Sequence, residues 1–320
     1  MTKIRVPYAQ GYFGAAAQLY GTRPLEKSSN FYSSNIMRIK LLFLMLCFSL
    51  SSCISYRIAE KELFYPRKVS KLNNSLSLEE VYFMTSDSIK LSAWFIKQHN
   101  PKGTILYFGG NGFQLFSNIA INIINRLSIF DMNMLLVDYR GYGRSEGTPT
   151  LQGIYEDGRA AYRYVCSRPD VDSSRIILYG HSLGTLVAAR TGCSQPAAGV
   201  ILEGAISNAI EMKEVVKSNA PWYVRWFVKL DADSSVLTID NIQQVQHLTK
   251  PLLIVVGEND NITPPEMGQK VCNAAASSNK RFEIISKGEH NDLYFTNDGR
   301  RDSYIKVVST FLNGIFEAKQ

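Results

Sequence analysis

Cysteine and histidine are scarce in this 320-residue chain, five and four copies respectively, and the scarcity closes off some chemistry at once. No Cys-x-x-Cys pair occurs and no His/Cys spacing suits a metal, so no metal is implied, and the serine chemistry read below implies no organic cofactor. Cys47 and Cys53 fall near the N-terminus. Cys166, Cys193 and Cys272 form an odd set on predicted helices, read as buried small hydrophobes, with any one disulfide among them unassignable from sequence. Repeats of fixed period and extended low-complexity tracts are also missing. The net charge of +7 would suit a nucleic acid, but residues 1–52 supply six basic residues and one acid. The remainder holds 29 basic against 27 acidic residues, with no Lys/Arg cluster interleaved with aromatics, which argues against a nucleic-acid partner. What remains is 45% hydrophobic and 20% charged, enough for one large domain with a sizeable core.

Long apolar runs are absent too, yet one short run carries a message. Residues 37–53 read MRIKLLFLMLCFSLSSC, with Arg38 and Lys40 before the apolar stretch Leu41 to Leu50. That stretch is too short for a bilayer core of roughly 30 Å and has the length of a signal-peptide core. Leu50-Ser51-Ser52-Cys53 resembles the bacterial lipobox, in which the Cys becomes lipidated as the new N-terminus. The expectation is a bacterial cell-envelope lipoprotein anchored at Cys53. Ile54, rather than Asp, implies the outer membrane where two membranes exist. Residues 1–36 read as upstream sequence from a start placed too early, 37–52 as the signal peptide, and 53–77 as a tether. A single hydrophobic anchor is the alternative.

From residue 78 to 320 the chain alternates strand-like and helix-like segments. Val81–Met84 and Ile89–Ile96 predict an antiparallel hairpin. Continuous apolar runs follow at Thr104–Phe108, Met134–Val137, Arg175–Tyr179, Val200–Leu202, Leu252–Val256 and Phe282–Ile285, with helical patterns including 150–166, 183–192 and 264–277. This is an α/β pattern: a mostly parallel sheet of about eight strands, helices on both faces, and ligands at the carboxyl ends of its strands. Residues 206–248 interrupt the rhythm as a small helical insertion. In its PWYVRWFVK, Trp222/Trp226 and Tyr223/Phe227 stand at i,i+4 spacing, which fits either a helix packed on the domain or a lid whose inner face meets an apolar substrate group.

The stretch IILYGHSLGTLVAAR, residues 176–190, runs from strand to helix through Gly180-His181-Ser182-Leu183-Gly184. That is the pattern of a nucleophile elbow, a strained turn presenting Ser182 above the sheet with the Leu183 N–H at a helix N-terminus. A serine needs a base. His290, in SKGEHND after the last predicted strand, lies at the expected edge; His181 is inside the elbow, and His99 and His247 read as surface or structural. The acid that orients the base is assigned to Asp260 in GENDNITPP, with Glu258 and Asp292 as rivals. Strand Thr104–Phe108 ends in Gly109-Gly110-Asn111-Gly112, whose Asn111 N–H, or Gly110 as its neighbour, would join Leu183 in an oxyanion hole.

These segments together resemble the α/β-hydrolase superfamily, and within it the Bem46-like hydrolases, which include acyl-thioesterases and lysophospholipases. The resemblance covers about residues 78–314 and rests on YFGGNG (107–112), DYRGYGRSEGTPT (138–150), RPDVDSSRIILYGHSLG (168–184), VILEGAIS (200–207), VVGENDNITPP (255–265) and KGEHND (287–292), in family order. It implies an α/β-hydrolase fold, a structural role for Asp138–Ser145, and a Ser182-Asp260-His290 serine hydrolase acting on carboxylic esters or thioesters. Two departures stand out: Gly109 where many relatives have His, and Thr185 where a second Gly is usual. The expected partners are a small acyl ester or lipid substrate and a membrane reached through the N-terminal lipid. Amide or peptide cleavage by the same triad, and a catalytically silent membrane-tethered binding protein, are the alternatives.

Overall fold

The computed structural model describes residues 54–67, 78–294 and 298–317. The expectations for residues 1–53, including lipidation at Cys53, lie outside the described residues.

The apolar runs form the strands they predict: Thr104–Phe108 (β4), Asn133–Val137 (β5), Ile176–His181 (β6), Gly199–Glu203 (β7), Leu252–Gly257 (β9) and Lys280–Ile285 (β10). The opening hairpin is Glu79–Met84 (β2) and Lys90–Ile96 (β3). One eight-stranded sheet results, in the order β10-β9-β7-β6-β4-β5-β3-β2. β2–β3 and β3–β5 pair antiparallel and every other pair is parallel.

Both faces of the six inner strands are buried, which is why those strands read as continuous rather than alternating apolar runs. Alternate residues of one strand enter two different cores. Leu106 and Phe108 pack in a cluster with Leu151–Ser167 (α2), Gly184–Ser194 (α3) and Pro265–Ala274 (α8). Ile105 and Tyr107 pack in the other, with Asn118–Leu127 (α1) and Arg300–Phe316 (α9). Truncating any of these strand residues to Ala should cost about 2–5 kcal/mol, as large-to-small changes in a close-packed core do. Two of these helices, α1 and α2, start at side-chain caps: Ser117 accepts from the Ala120 N–H and Thr150 from the Gly153 N–H. Cys272 is buried while Cys166 and Cys193 are half-buried, and all three are free thiols.

The structure corrects the tether. Residues 54–67 are part of the folded domain: Ile54–Ile58 (β1) pairs in parallel with Val228–Ala232 (β8), a 3-10 turn follows at Glu60–Leu63, and Phe64 is buried in the core. The insertion is likewise not purely helical. It runs through Ala209–Ser218 (α4), Trp222–Arg225 (α5), β8, Ser234–Leu237 (α6) and Asn241–Val245 (α7). The helix expected to carry Trp222/Trp226 and Tyr223/Phe227 is a single turn ending at Arg225. Trp222, Tyr223 and Trp226 face solvent rather than packing on the domain.

Candidate active site

β6 ends at His181, and Ser182 follows with φ of 53°, a left-handed conformation that costs a non-glycine residue about 1–3 kcal/mol. The flanking glycines make room for it. A Cβ on Gly180 would lie 2.4 Å from the Gly184 carbonyl oxygen, and one on Gly184 would lie 2.1 Å from the Phe108 oxygen. The turn is thereby pressed against the end of β4. The Ser182 N–H donates to the Glu203 carbonyl at 2.9 Å, which continues the β6–β7 pairing through the serine. Thr185, one of the two departures from the family pattern, fits: its Oγ1 donates to the Ser182 carbonyl at 2.6 Å and accepts from the Ile206 N–H at 3.3 Å. It ties the elbow to the loop after β7.

At the same edge, β9 delivers Asp260 and β10 leads to His290. His290 Nδ1 lies 2.8 Å from Asp260 Oδ2, with both side chains buried. An ionised carboxylate only accepts, so Nδ1 carries the proton and Nε2 is left as the acceptor. The carboxylate is saturated by other donors: Oδ1 takes the Ile262 N–H at 2.9 Å and the Thr263 N–H at 2.8 Å, and Oδ2 takes the Thr263 hydroxyl at 2.8 Å. Burial works to raise the Asp260 pKa, but its bond to His290 and these N–H groups hold it below the usual carboxylate value. The two rivals are occupied elsewhere. Glu258 binds Ser286 and the Lys287 N–H, and Asp292 pairs with Arg300 and the Glu289 N–H. Thr263 went unnoticed in the sequence, although Asp-x-x-Thr is a spacing at which a turn hydroxyl can reach a carboxylate.

Residues next to Ser182 touch His290 at this rim. His181 Nε2 is 3.2 Å from the His290 carbonyl oxygen and the two rings are 5.2 Å apart. Gly204, next to the residue that binds the Ser182 N–H, lies against Thr263 and the His290 ring: a Cβ there would lie 3.0 Å from Thr263 Oγ1 and 3.1 Å from His290 Cε1. Among the described residues the Ser182 hydroxyl makes no hydrogen bond, to His290 or otherwise. Nucleophile–base bonds are commonly long before substrate arrives and tighten in the complex.

The Gly109–Gly112 turn follows β4 beside the elbow, where a Cβ on Gly110 would lie 3.3 Å from Ser182 Cβ. Its carbonyls are held one by one. The Tyr139 hydroxyl donates to the Gly109 oxygen at 3.2 Å, the Phe113 N–H to the Gly110 oxygen at 3.0 Å, and the Tyr142 hydroxyl to the Asn111 oxygen at 2.7 Å. The Tyr65 N–H adds a bond to the Asn111 oxygen at 3.2 Å. Neither the Asn111 nor the Leu183 N–H donates a hydrogen bond among the described residues, so both are available to an anion above Ser182. Tyr139 and Tyr142 belong to Asp138–Ser145, which gives that loop a physical task. It anchors the Gly109–Gly112 turn.

Beneath the elbow lies a buried ion pair that the sequence did not announce. Arg126 Nη1 is 2.8 Å from Glu203 Oε1, with both side chains inaccessible to solvent. The Tyr179 hydroxyl donates to the other Glu203 oxygen and accepts from Tyr304 at 2.6 Å, while the Arg126 guanidinium lies against both rings. Burial opposes the Glu203 charge, but Arg126 keeps the carboxyl below its ordinary value. His181 faces the opposite outcome: burial pushes its pKa down to about 4, outweighing the pull of Glu203, so it is neutral at physiological pH.

Comparison with other proteins gives a consistent picture. The protein-family model described as "Serine aminopeptidase, S33" matches residues 99–241 and 232–295. The α/β-hydrolase domain-containing protein WAV2 of Arabidopsis thaliana is 30% identical over 253 residues, covering 72% of this chain and 78% of WAV2. Protein bem46 of Schizosaccharomyces pombe is 28% identical over 243 residues, 74% of this chain and 77% of bem46. Among solved structures, an esterase of Pyrococcus furiosus superposes with a TM-score of 0.61 at 20% identity, over 81% of this chain and 98% of the esterase. At that identity the likeness speaks for the fold.

Proposed function

The chain belongs to the α/β-hydrolase superfamily as a Bem46-like hydrolase, and from that premise we propose a serine hydrolase that cleaves carboxylic esters or thioesters. One observation carries the reading: Ser182 is held at φ of 53° on the rim where His290 pairs with Asp260. In the proposed reaction Ser182 Oγ attacks the acyl carbonyl as His290 Nε2 takes its proton. Asp260 holds the ring and stabilises the imidazolium. The Leu183 and Asn111 N–H groups receive the oxyanion, each such donor being worth about 3–4 kcal/mol at the transition state. The imidazolium protonates the departing alcohol or thiol. A water, deprotonated by His290, then attacks the acyl-enzyme, releases the acid and restores the serine.

The family model's "aminopeptidase" description favours amide cleavage, while the esterase likeness and the exposed aromatic insertion favour acyl esters. A series of acyl esters and thioesters of increasing chain length, set against aminoacyl anilides, separates them. We expect kcat/KM to rise about tenfold or more with acyl-chain length among the esters and thioesters, with no Ser182-dependent turnover of the anilides; the intrinsic advantage of an ester leaving group is common to both readings. Efficient Ser182-dependent anilide turnover would overturn the ester reading and leave the triad standing. No Ser182-dependent turnover of either would leave a binding protein.

The lipoprotein reading of residues 37–53 is part of the same proposal. Its support is the order of basic residues, short apolar core and Leu-Ser-Ser-Cys. Lipidation at Cys53 would supply the two or more lipid signals that stable anchoring takes. Mass spectrometry of the mature protein tests it: a lipid-modified N-terminal Cys53 is expected, and an unmodified Cys53 overturns it.

A further inference from the structure

Three aromatic side chains stand in water within five residues of the insertion. Trp222 is 73% exposed, Tyr223 59% and Trp226 83%. An unburied large apolar side chain forgoes roughly 1.5–3 kcal/mol, so three in one short segment mark a surface that is covered in use. Residues 215–230 also carry Lys217, Arg225 and Lys229, between the acids Glu214 and Asp231. Tryptophan and tyrosine beside basic residues is the composition of a surface lying at a phospholipid headgroup boundary. Among the described residues no helix is long and apolar enough to cross a membrane, so such a surface would rest on a bilayer rather than span it.

Connectivity selects the bilayer over other occupants. β1 begins at Ile54, directly after Cys53, and Ile54 pairs with Val228, two residues past Trp226. Neighbouring strands lie about 4.8 Å apart and each residue advances about 3.3 Å, so Ile54 is on the order of 10 Å from the Trp226 backbone. Cys53 precedes Ile54 directly in the sequence. A lipid on Cys53 would bring the aromatic segment down to the same surface.

We propose that the face formed by α5 and the segment leading into β8 is a docking surface for an anionic lipid bilayer. It rests in part on the lipoprotein reading of Cys53. The same seat puts the opening of the site at the membrane. Asn219 Nδ2, three residues before Trp222, donates to the Asn261 carbonyl at 2.9 Å, beside Asp260. From the other side Tyr65, seven residues past the end of β1, holds the Asn111 carbonyl. An acyl chain leaving the bilayer would meet the rim directly.

The three tryptophans of the chain are a built-in probe, because Trp94 is 2% exposed and the other two are in the face. Full-chain protein is mixed with vesicles of phosphatidylcholine and phosphatidylglycerol, with or without brominated acyl chains, and binding is followed by sedimentation. Brominated vesicles should quench the emission roughly twofold, since rings seated about 5–10 Å into the headgroup boundary come close to the acyl bromines. W222F/W226F, which leaves Trp94 alone, should sediment equally and lose the quenching. Vesicle-bound wild type quenched no more than that variant would overturn the docking surface, as would failure to sediment. Emission that shifts with protein concentration but not with lipid would assign the face to a second copy and also overturn it. An unmodified Cys53 together with intact quenching would fell the lipid anchor and spare the docking surface, and the readout needs no turnover.

Discussion

On the sheet side of the opening, Ser182, Asp260 and His290 sit at the carboxyl ends of β6, β9 and β10, and most of their polar atoms are tied to backbone or buried side chains. On the insertion side, a one-turn helix and a short strand pair display bare tryptophans. Under the proposed function and docking surface, the contrast separates two tasks. Groups that move protons must hold fixed geometry, and a twisted sheet buried on both faces supplies it. Groups that meet a large apolar surface gain from exposure, and an insertion between strands can supply that without disturbing the sheet.

Substitutions should therefore hurt in proportion to how deeply they enter the sheet side. Ser182→Ala should lower kcat by about 10⁶-fold on an activated ester with the fold intact, measured by progress curves and circular dichroism. Asp260→Asn should cost about 10⁴-fold, because the amide no longer fixes the imidazole tautomer. Glu258→Gln and Asp292→Asn should stay within about threefold; equal losses at all three would erase the distinction drawn from their partners. Arg126→Met leaves a buried carboxylate without its cation and should cost about 3–5 kcal/mol in urea unfolding, much of it recovered by adding Glu203→Gln.

The smaller effects sharpen the same contrast. His181 has a folded pKa of about 4 against about 6.5 unfolded, so between these values the unfolded chain binds more protons. Its contribution is complete above pH 6.5 and is lost as pH falls toward 4, by about 1–3 kcal/mol. Asp260, depressed in the fold, takes over below that range, its contribution fading as pH drops under the ordinary carboxylate value. Urea titrations against pH should show the first slope, and His181→Asn should flatten it. On the insertion side, Trp222→Ser with Trp226→Ser should change stability by under about 0.5 kcal/mol and leave turnover of a soluble short-chain ester within about twofold.

The strands and the elbow were legible because each is a local pattern: Thr104–Phe108 reads as a buried run and forms β4 residue for residue. Its place after a strand and the chain order favour Asp260 over Glu258 and Asp292, but the turn in which the Asp260 N–H bonds the Gly257 carbonyl leaves no local signal. Residues 54–67 read as a tether because β1 has no local partner; its ladder is β8, more than 170 residues away. The i,i+4 spacing of Trp222 and Trp226 misled for a related reason. Val228 opens β8, so the helix ends after one turn and the spacing never becomes one side of a helix. The Arg126–Glu203 pair leaves no trace in pattern, because a lone charge in a helix or strand reads as exposed until the tertiary partner is known.

The central claim, that Ser182 is a nucleophile activated at this rim, is met most directly by a fluorophosphonate probe followed by peptide mapping. The account predicts one adduct per chain, on Ser182, absent in Ser182→Ala and greatly slowed in His290→Ala. Folded protein that takes up no probe, or takes it up on another residue, would contradict it.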